Sequence, residues 1–105
     1  MIERHWKGIC KAPHAAEYHG HLLKDTLKQL EVLNGFKELR ILRRDINNGV
    51  AFLVITVWEH IENIKDFAGH DIERAVVPPP VQEMMITYDE RVIHYEALSY
   101  PVNKL

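Results

Sequence analysis

Near the end of the chain His94, Tyr95 and Glu96 follow one another, and imidazole is the side chain best suited to moving a proton near neutral pH. Side chains alternate along an extended segment, so His94 and Glu96 share a face with Val92 and Leu98 while Tyr95 points away. The competing role for His94 is structural: a buried imidazole satisfied by a carbonyl or a carboxylate. At the other end, Arg4 and Trp6 share a face by the same alternation. A guanidinium on a cavity wall would neutralise a phenolate or carboxylate, although an acid such as Glu96 or Asp71 would serve it equally well as a fixed partner. Trp6 and Trp58 offer large flat faces, each with one N–H, to line a pocket for an aromatic ligand or to fill a core.

Other chemistry is poorly supported. His14, Glu17, His21 and Asp25 recur at steps of three and four on one helical stripe, but they form no established zinc signature and no second segment supplies a further ligand. Asp71 and Glu73 after Gly69 read as charges at the start of a helical turn, and His70 as exposed variation. Cys10 has no partnered histidine at recognisable spacing. Gly8, Gly20, Gly35, Gly49 and Gly69 are scattered, so no phosphate-cradling loop forms. The reading is a chain with no cofactor and no metal.

The elements that must position these groups follow from hydrophobic spacing. Ile2 to Ile9 reads as a strand, and Pro13 stands where a first helical turn accepts it. Tyr18, Leu22, Leu23, Leu27, Leu30 and Leu33 recur at three- and four-residue steps, giving a long amphipathic helix from His14 to Leu33 that Asn34-Gly35 closes. Phe36 to Ile46 and Val50 to Trp58 form a hairpin around Asn47-Asn48-Gly49, where positive backbone angles cost little. Ile61, Ile64 and Phe67 space as a short helix ending at Gly69. Pro78, Pro79 and Pro80 predict an extended path, Val81 to Ile86 one more turn, and Arg91 to Leu98 a last strand. The order strand, helix, strand, strand, helix, strand predicts an α+β, ferredoxin-like βαββαβ fold with a four-stranded antiparallel sheet and two helices on one face. In the third strand both faces are apolar, so a second copy is expected on the uncovered one, which would otherwise expose Phe52, Val54 and Trp58.

The composition narrows the function classes. One domain, 1–105, is expected from 105 residues. Thirteen Lys and Arg against fifteen Asp and Glu leave a net charge of -2, which gives no basic field for nucleic acid or an anionic membrane. No apolar run approaches the roughly 20 residues that cross a bilayer. A lone cysteine and a start without an apolar leader core predict a reducing, cytoplasmic setting.

Several of these residues together resemble a known family. Arg4 and Trp6 in the first strand, Trp58 ending the third, Phe67-Ala68-Gly69 with Asp71, Glu73 and Ala75-Val76-Val77-Pro78-Pro79, and His94-Tyr95-Glu96 are similar to the antibiotic biosynthesis monooxygenase-like proteins of the dimeric α/β-barrel superfamily. The resemblance covers nearly the whole chain. It implies a homodimer, a pocket between each sheet and its helices or loops, and, in several members, oxidation of aromatic polyketides without metal or flavin. Haem-degrading relatives use an asparagine, a tryptophan and a histidine, and the first strand here offers no asparagine. The expectation is a cofactor-independent monooxygenase-like protein for a small phenol or enol, with His94 as catalytic base and Trp58, Trp6, Arg4 and Glu96 binding substrate. The alternative is a non-catalytic or stress-related protein that holds a small hydrophobic or aromatic molecule in the same cavity.

Overall fold

The computed structural model describes residues 1–104. Strands β1 (Ile2–Cys10), β2 (Phe36–Ile46) and β3 (Gly49–Trp58) lie antiparallel in the order β2-β3-β1. The register sets Arg4 beside Thr56, Trp6 beside Val54 and Gly8 beside Phe52. Gly8 is small for a reason: a Cβ there would lie 2.5 Å from Cη2 of Trp6, whose ring folds across it. The β2-β3 hairpin closes at Ile46 and Gly49. Asn47 and Asn48 both keep negative φ, so the left-handed turn expected at this corner is not the one used.

Among the described residues five strands are present where the sequence pattern predicts four. Strand β4 (Met85–Tyr88) pairs with Gly8 to Cys10, and β5 (Ile93–Glu96) with Ile2 to His5. Both lie on the same edge of β1, separated by a corner that β1 itself pins. The Asp89 amide donates to the Lys7 carbonyl at 2.9 Å, and the Lys7 amide donates back to Asp89 Oδ2 at 3.1 Å. The extended path expected of the prolines is also corrected. Pro79 and Pro80 open a helix (Pro79–Met84), because the first positions of a helix need no intrahelical N–H and a fixed φ suits them.

One face of the sheet is covered. A 3-10 turn (Ala12–His14) with Pro13 leads into α1 (Ala15–His21), a π-helical stretch (Leu22–Thr26) and α2 (Leu27–Leu30). Gly35 then reverses the chain at φ 80°, and Asn63 occupies the space a Cβ would need. A 3-10 turn (Ile61–Ile64), α3 (Lys65–Ala68) and the helix at Pro79–Met84, here α4, complete the layer. Beneath it Trp6, Cys10, Tyr18, Leu22, Phe52, Val54, Val81 and Met84 form one core, and Leu30, Trp58 and Ile64 a second one, with Phe36 and Phe67 packed against it.

Phe52, Val54 and Trp58 therefore face the helices, not the uncovered side. The open face carries Glu3, His5, Lys7 and Ile9 of β1, Leu53, Ile55 and Val57 of β3, and Arg40, Leu42 and Arg44 of β2. The sequence reading assigned the two sets of β3 correctly but not which set the helices take. No helix among the described residues is long and apolar enough to cross a membrane.

Candidate functional site

A cavity of about 50 Å3 lies between the sheet and the helix layer. Arg4, Trp6, Val54 and Thr56 form its floor; Tyr18, His21, Leu22 and Thr26 form one side; Phe67, Val76, Pro78 and Val81 close it. Leu22 and Thr26 bound the π-helical stretch, so the local widening of the helix falls on the cavity wall. The volume suffices for roughly four water molecules, so one small ring is the upper limit and a fused polycycle is excluded.

Arg4 is the group that sets the electrostatics. It is 5% exposed, and its Nη2 donates to the Arg74 carbonyl at 2.8 Å. Its guanidinium lies 5.4 Å from the centre of the Phe67 ring, and its Nε, sealed from solvent, donates to nothing among the described residues. Burial pushes its pKa down to about 10, which leaves it charged at neutral pH. The acid partner expected from sequence is absent from it. Asp71 instead grips Arg91 through two hydrogen bonds of 2.9 and 3.0 Å, Glu73 lies 3.7 Å from the same guanidinium, and Glu96 sits exposed opposite Ile2.

His94 is the residue paired with Arg4 across the β1-β5 ladder, half-buried on the same face. It does not line the cavity wall. Its Nε2 is sealed from solvent and unpartnered among the described residues. Burial, followed by the nearby Arg4 charge, holds the imidazole below its ordinary 6.5, with Glu73 opposing. An imidazole held toward its neutral form with an unengaged nitrogen keeps the capacity to accept a proton, although that nitrogen is sealed and off the cavity wall in this arrangement.

The other expected residues divide. Trp6 lines the cavity, with its Nε1 donating to the Asp89 carbonyl at 2.9 Å. Trp58 does not: it is fully buried in the second core, and its Nε1 donates to Oγ1 of Thr56, a floor residue, at 2.9 Å. Glu96 lies outside. The histidine stripe resolves into two separate pairs, His14 with Glu17 at 3.0 Å and His21 with Asp25 at 2.9 Å. Among the described residues no three His, Cys, Asp or Glu side chains group as a metal site. Burial pushes the Cys10 thiol up, away from reactivity. Tyr18, Thr26, Phe67 and Val81 are wall residues that sequence reading did not single out, although Tyr18 belongs to the apolar stripe and Phe67 to the segment carrying the family resemblance.

A second, larger concavity of about 500 Å3 opens on the uncovered face, where Ile9, Leu42, Ala51, Leu53 and Thr87 line it.

Solved structures with this arrangement exist. One is a provisionally named antibiotic biosynthesis monooxygenase from Bacillus cereus, 16% identical, which matches with a TM-score of 0.68 over 99% of this chain and 97% of that one. Another, provisionally named likewise, is from Deinococcus radiodurans, 16% identical, with a TM-score of 0.62 over 100% and 99%. This chain has their fold. The resemblance read from Arg4, Trp6, Trp58 and the His94 strand is thus shown at the level of architecture. No family model matches the sequence, and none of the curated proteins does.

Proposed function

We propose that the chain is a monooxygenase-like protein that oxidises a small phenol or enol in the cavity under the helices, without cofactor. The observation that carries this reading is the pairing, across β1 and β5, of a buried Arg4 that no acid neutralises with a His94 whose Nε2 is unengaged. In this reading the His94 ring, which stands behind Arg4 and off the cavity wall, turns toward the cavity to take the substrate proton, Arg4 stabilises the resulting oxyanion, and the electron-rich ring passes electrons to dioxygen. One oxygen atom enters the product as a carbonyl and the other leaves as water, so the substrate supplies all the electrons. Trp6, Tyr18 and Phe67 keep the site dry and orient the ring. In the same reading the chain works as a homodimer, with the open sheet face of each copy covering the other.

A second reading, binding without turnover, is favoured by one fact: His94 stands behind Arg4 rather than on the cavity wall. One variant, measured beside wild type, separates the two. His94→Ala should lower oxygen uptake with a catechol-like phenol by roughly a hundredfold or more, the scale of general base assistance, with folding intact. Unchanged turnover in a folded variant would remove His94 from the chemistry, and only a wild type that binds the phenol without oxygen uptake would leave the binding reading.

A further inference from the structure

Arg4 poses a problem of charge. An arginine 95% withdrawn from solvent normally faces a carboxylate, because a buried ion without a counter-charge is strongly unfavourable. Here its partners are a neutral carbonyl and the face of Phe67. The acids nearest in the chain are held elsewhere, and the fold shows how. Arg74 and Arg91 form an isolated bridge, the Ala75 amide donates to the Glu90 carbonyl at 2.9 Å, and the Val92 amide donates to the Glu73 carbonyl at 2.7 Å. This ladder holds the Arg74 carbonyl against Arg4 while Arg91, on the outside, draws both Asp71 and Glu73 to itself. Asp25 pairs with His21 and Glu3 lies on the opposite face of the sheet with Arg40.

Among the described residues the wall around Arg4 contains no acid. Thr26, Thr56, Tyr18 and His21 are its other polar residues, and Trp6 and Phe67 are aromatic surfaces. An anion entering here meets one fixed positive charge and no fixed negative one.

We propose that this cavity takes a small aromatic carboxylic acid in its ionised form, about one ring in size, with its carboxylate on the Arg4 guanidinium. The inference rests on the cavity being the ligand site, as in the reading above, but not on any oxygenation. A carboxylate is charged before it arrives, so it offsets Arg4 from the moment of binding. An oxyanion formed only during turnover leaves Arg4 unmet in the resting complex. The planar fork of arginine matches a carboxylate in geometry as well as charge, and its sealed Nε–H holds no acid that would compete for that charge.

The test uses benzoate and its neutral isostere benzamide, titrated calorimetrically without oxygen into the whole protein. Wild type should bind benzoate at least about tenfold more tightly than benzamide, and benzoate alone should raise the melting temperature. Arg4→Met should bring the two affinities together, and Arg4→Lys should keep part of the preference. Equal affinities in wild type, or binding of neither probe at millimolar concentration, overturn the proposal whether or not Arg4→Met folds. So does a benzoate preference that survives unchanged in Arg4→Met. Oxygen uptake with phenols and no benzoate binding would remove this inference and spare the oxygenase reading; benzoate binding with no uptake would do the reverse.

Discussion

The two faces of the sheet are built from the same strands and treat charge in opposite ways. On the open face the Arg40 and Glu3 side chains meet across β3, Glu38 joins Arg40 at 3.2 Å, and His5 joins Glu3 at 2.9 Å, with Tyr95 packed 4.8 Å from the His5 ring. Every charge in that chain has a partner. Between β1 and β2, Ile55 and Val57 are buried although no helix covers them, since His5 and Arg40 flank Ile55 in register and the ion pair bridges over β3. On the covered face Arg4 lies deeper and has no acid partner among the described residues, whereas Arg43, nearer the surface, stacks over Phe52. Paired charges at a surface contribute little to stability and much to solubility and register; an unpaired buried charge costs stability and is retained where it has a task. The contrast supports the proposed site on the helix side and the proposed homodimer contact on the other.

The largest effect expected from this division is on the covered face. Trp58 is fully enclosed by Leu30, Ile64, Phe36 and Phe67, so Trp58→Ala should cost roughly 3–5 kcal/mol, the range for deleting a buried aromatic. Urea denaturation measures it. A loss below about 1 kcal/mol would mean that the second core does not support the fold.

Next comes the open face. Under the proposed homodimer, Leu53 in the apolar concavity meets the other copy, and Leu53→Glu would bury a charge with no partner there. Dimer affinity should fall by about a hundredfold or more, while the circular dichroism spectrum stays folded. Sedimentation that finds wild type only as a 12.3 kDa species removes the dimer, and an undiminished dimer in the variant places the interface elsewhere.

How much of this division could be read from residues alone is instructive. Alternation in Val50 to Trp58 and the three-and-four spacing from Tyr18 to Leu30 were sufficient for the sheet and its long helix, because both periods report directly on burial. The interrupted edge strand was not legible: β4 is four residues long and begins where α4 ends, at Met84 and Met85, with no polar break between them. Nor does alternation say which of two apolar faces a helix will take. At the site, parity groups Arg4 with Trp6 and His94 with Glu96, but not Arg4 with His94, which only the β1-β5 register sets side by side. Nor does parity show the loneliness of Arg4, since Asp71 and Glu73 look like available partners until the bridge between Arg74 and Arg91 shows them taken.

A smaller effect separates the faces by pH. His94 resists protonation in the fold because burial and then Arg4 disfavour its cation. The unfolded chain accepts that proton near 6.5 and the folded one only at lower pH, so the unfolded state binds more protons in between. Stability should therefore fall as pH drops from about 6.5 toward the lower folded value, and His94→Gln should flatten that part of the profile. Denaturant midpoints for both proteins at several pH values test this. A wild-type profile that rises on acidification, or an equal slope in the variant, contradicts the sign.

The smallest effect belongs to the paired charges. If the chain from Glu38 through Arg40 and Glu3 to His5 serves the surface rather than the fold, the coupling between Glu3 and Arg40 should be only about 0.2–1 kcal/mol. A double-mutant cycle with Glu3→Gln and Arg40→Met, run under conditions where the chain is monomeric, isolates that coupling. It should shrink further in about 1 M salt, where the screening length falls to about 3 Å. A coupling above about 2 kcal/mol that salt leaves intact would show that the pair is shielded from solvent like the covered face. The two sides of the sheet would then no longer differ in how they manage charge, and the unpartnered Arg4 would lose the contrast that singles it out.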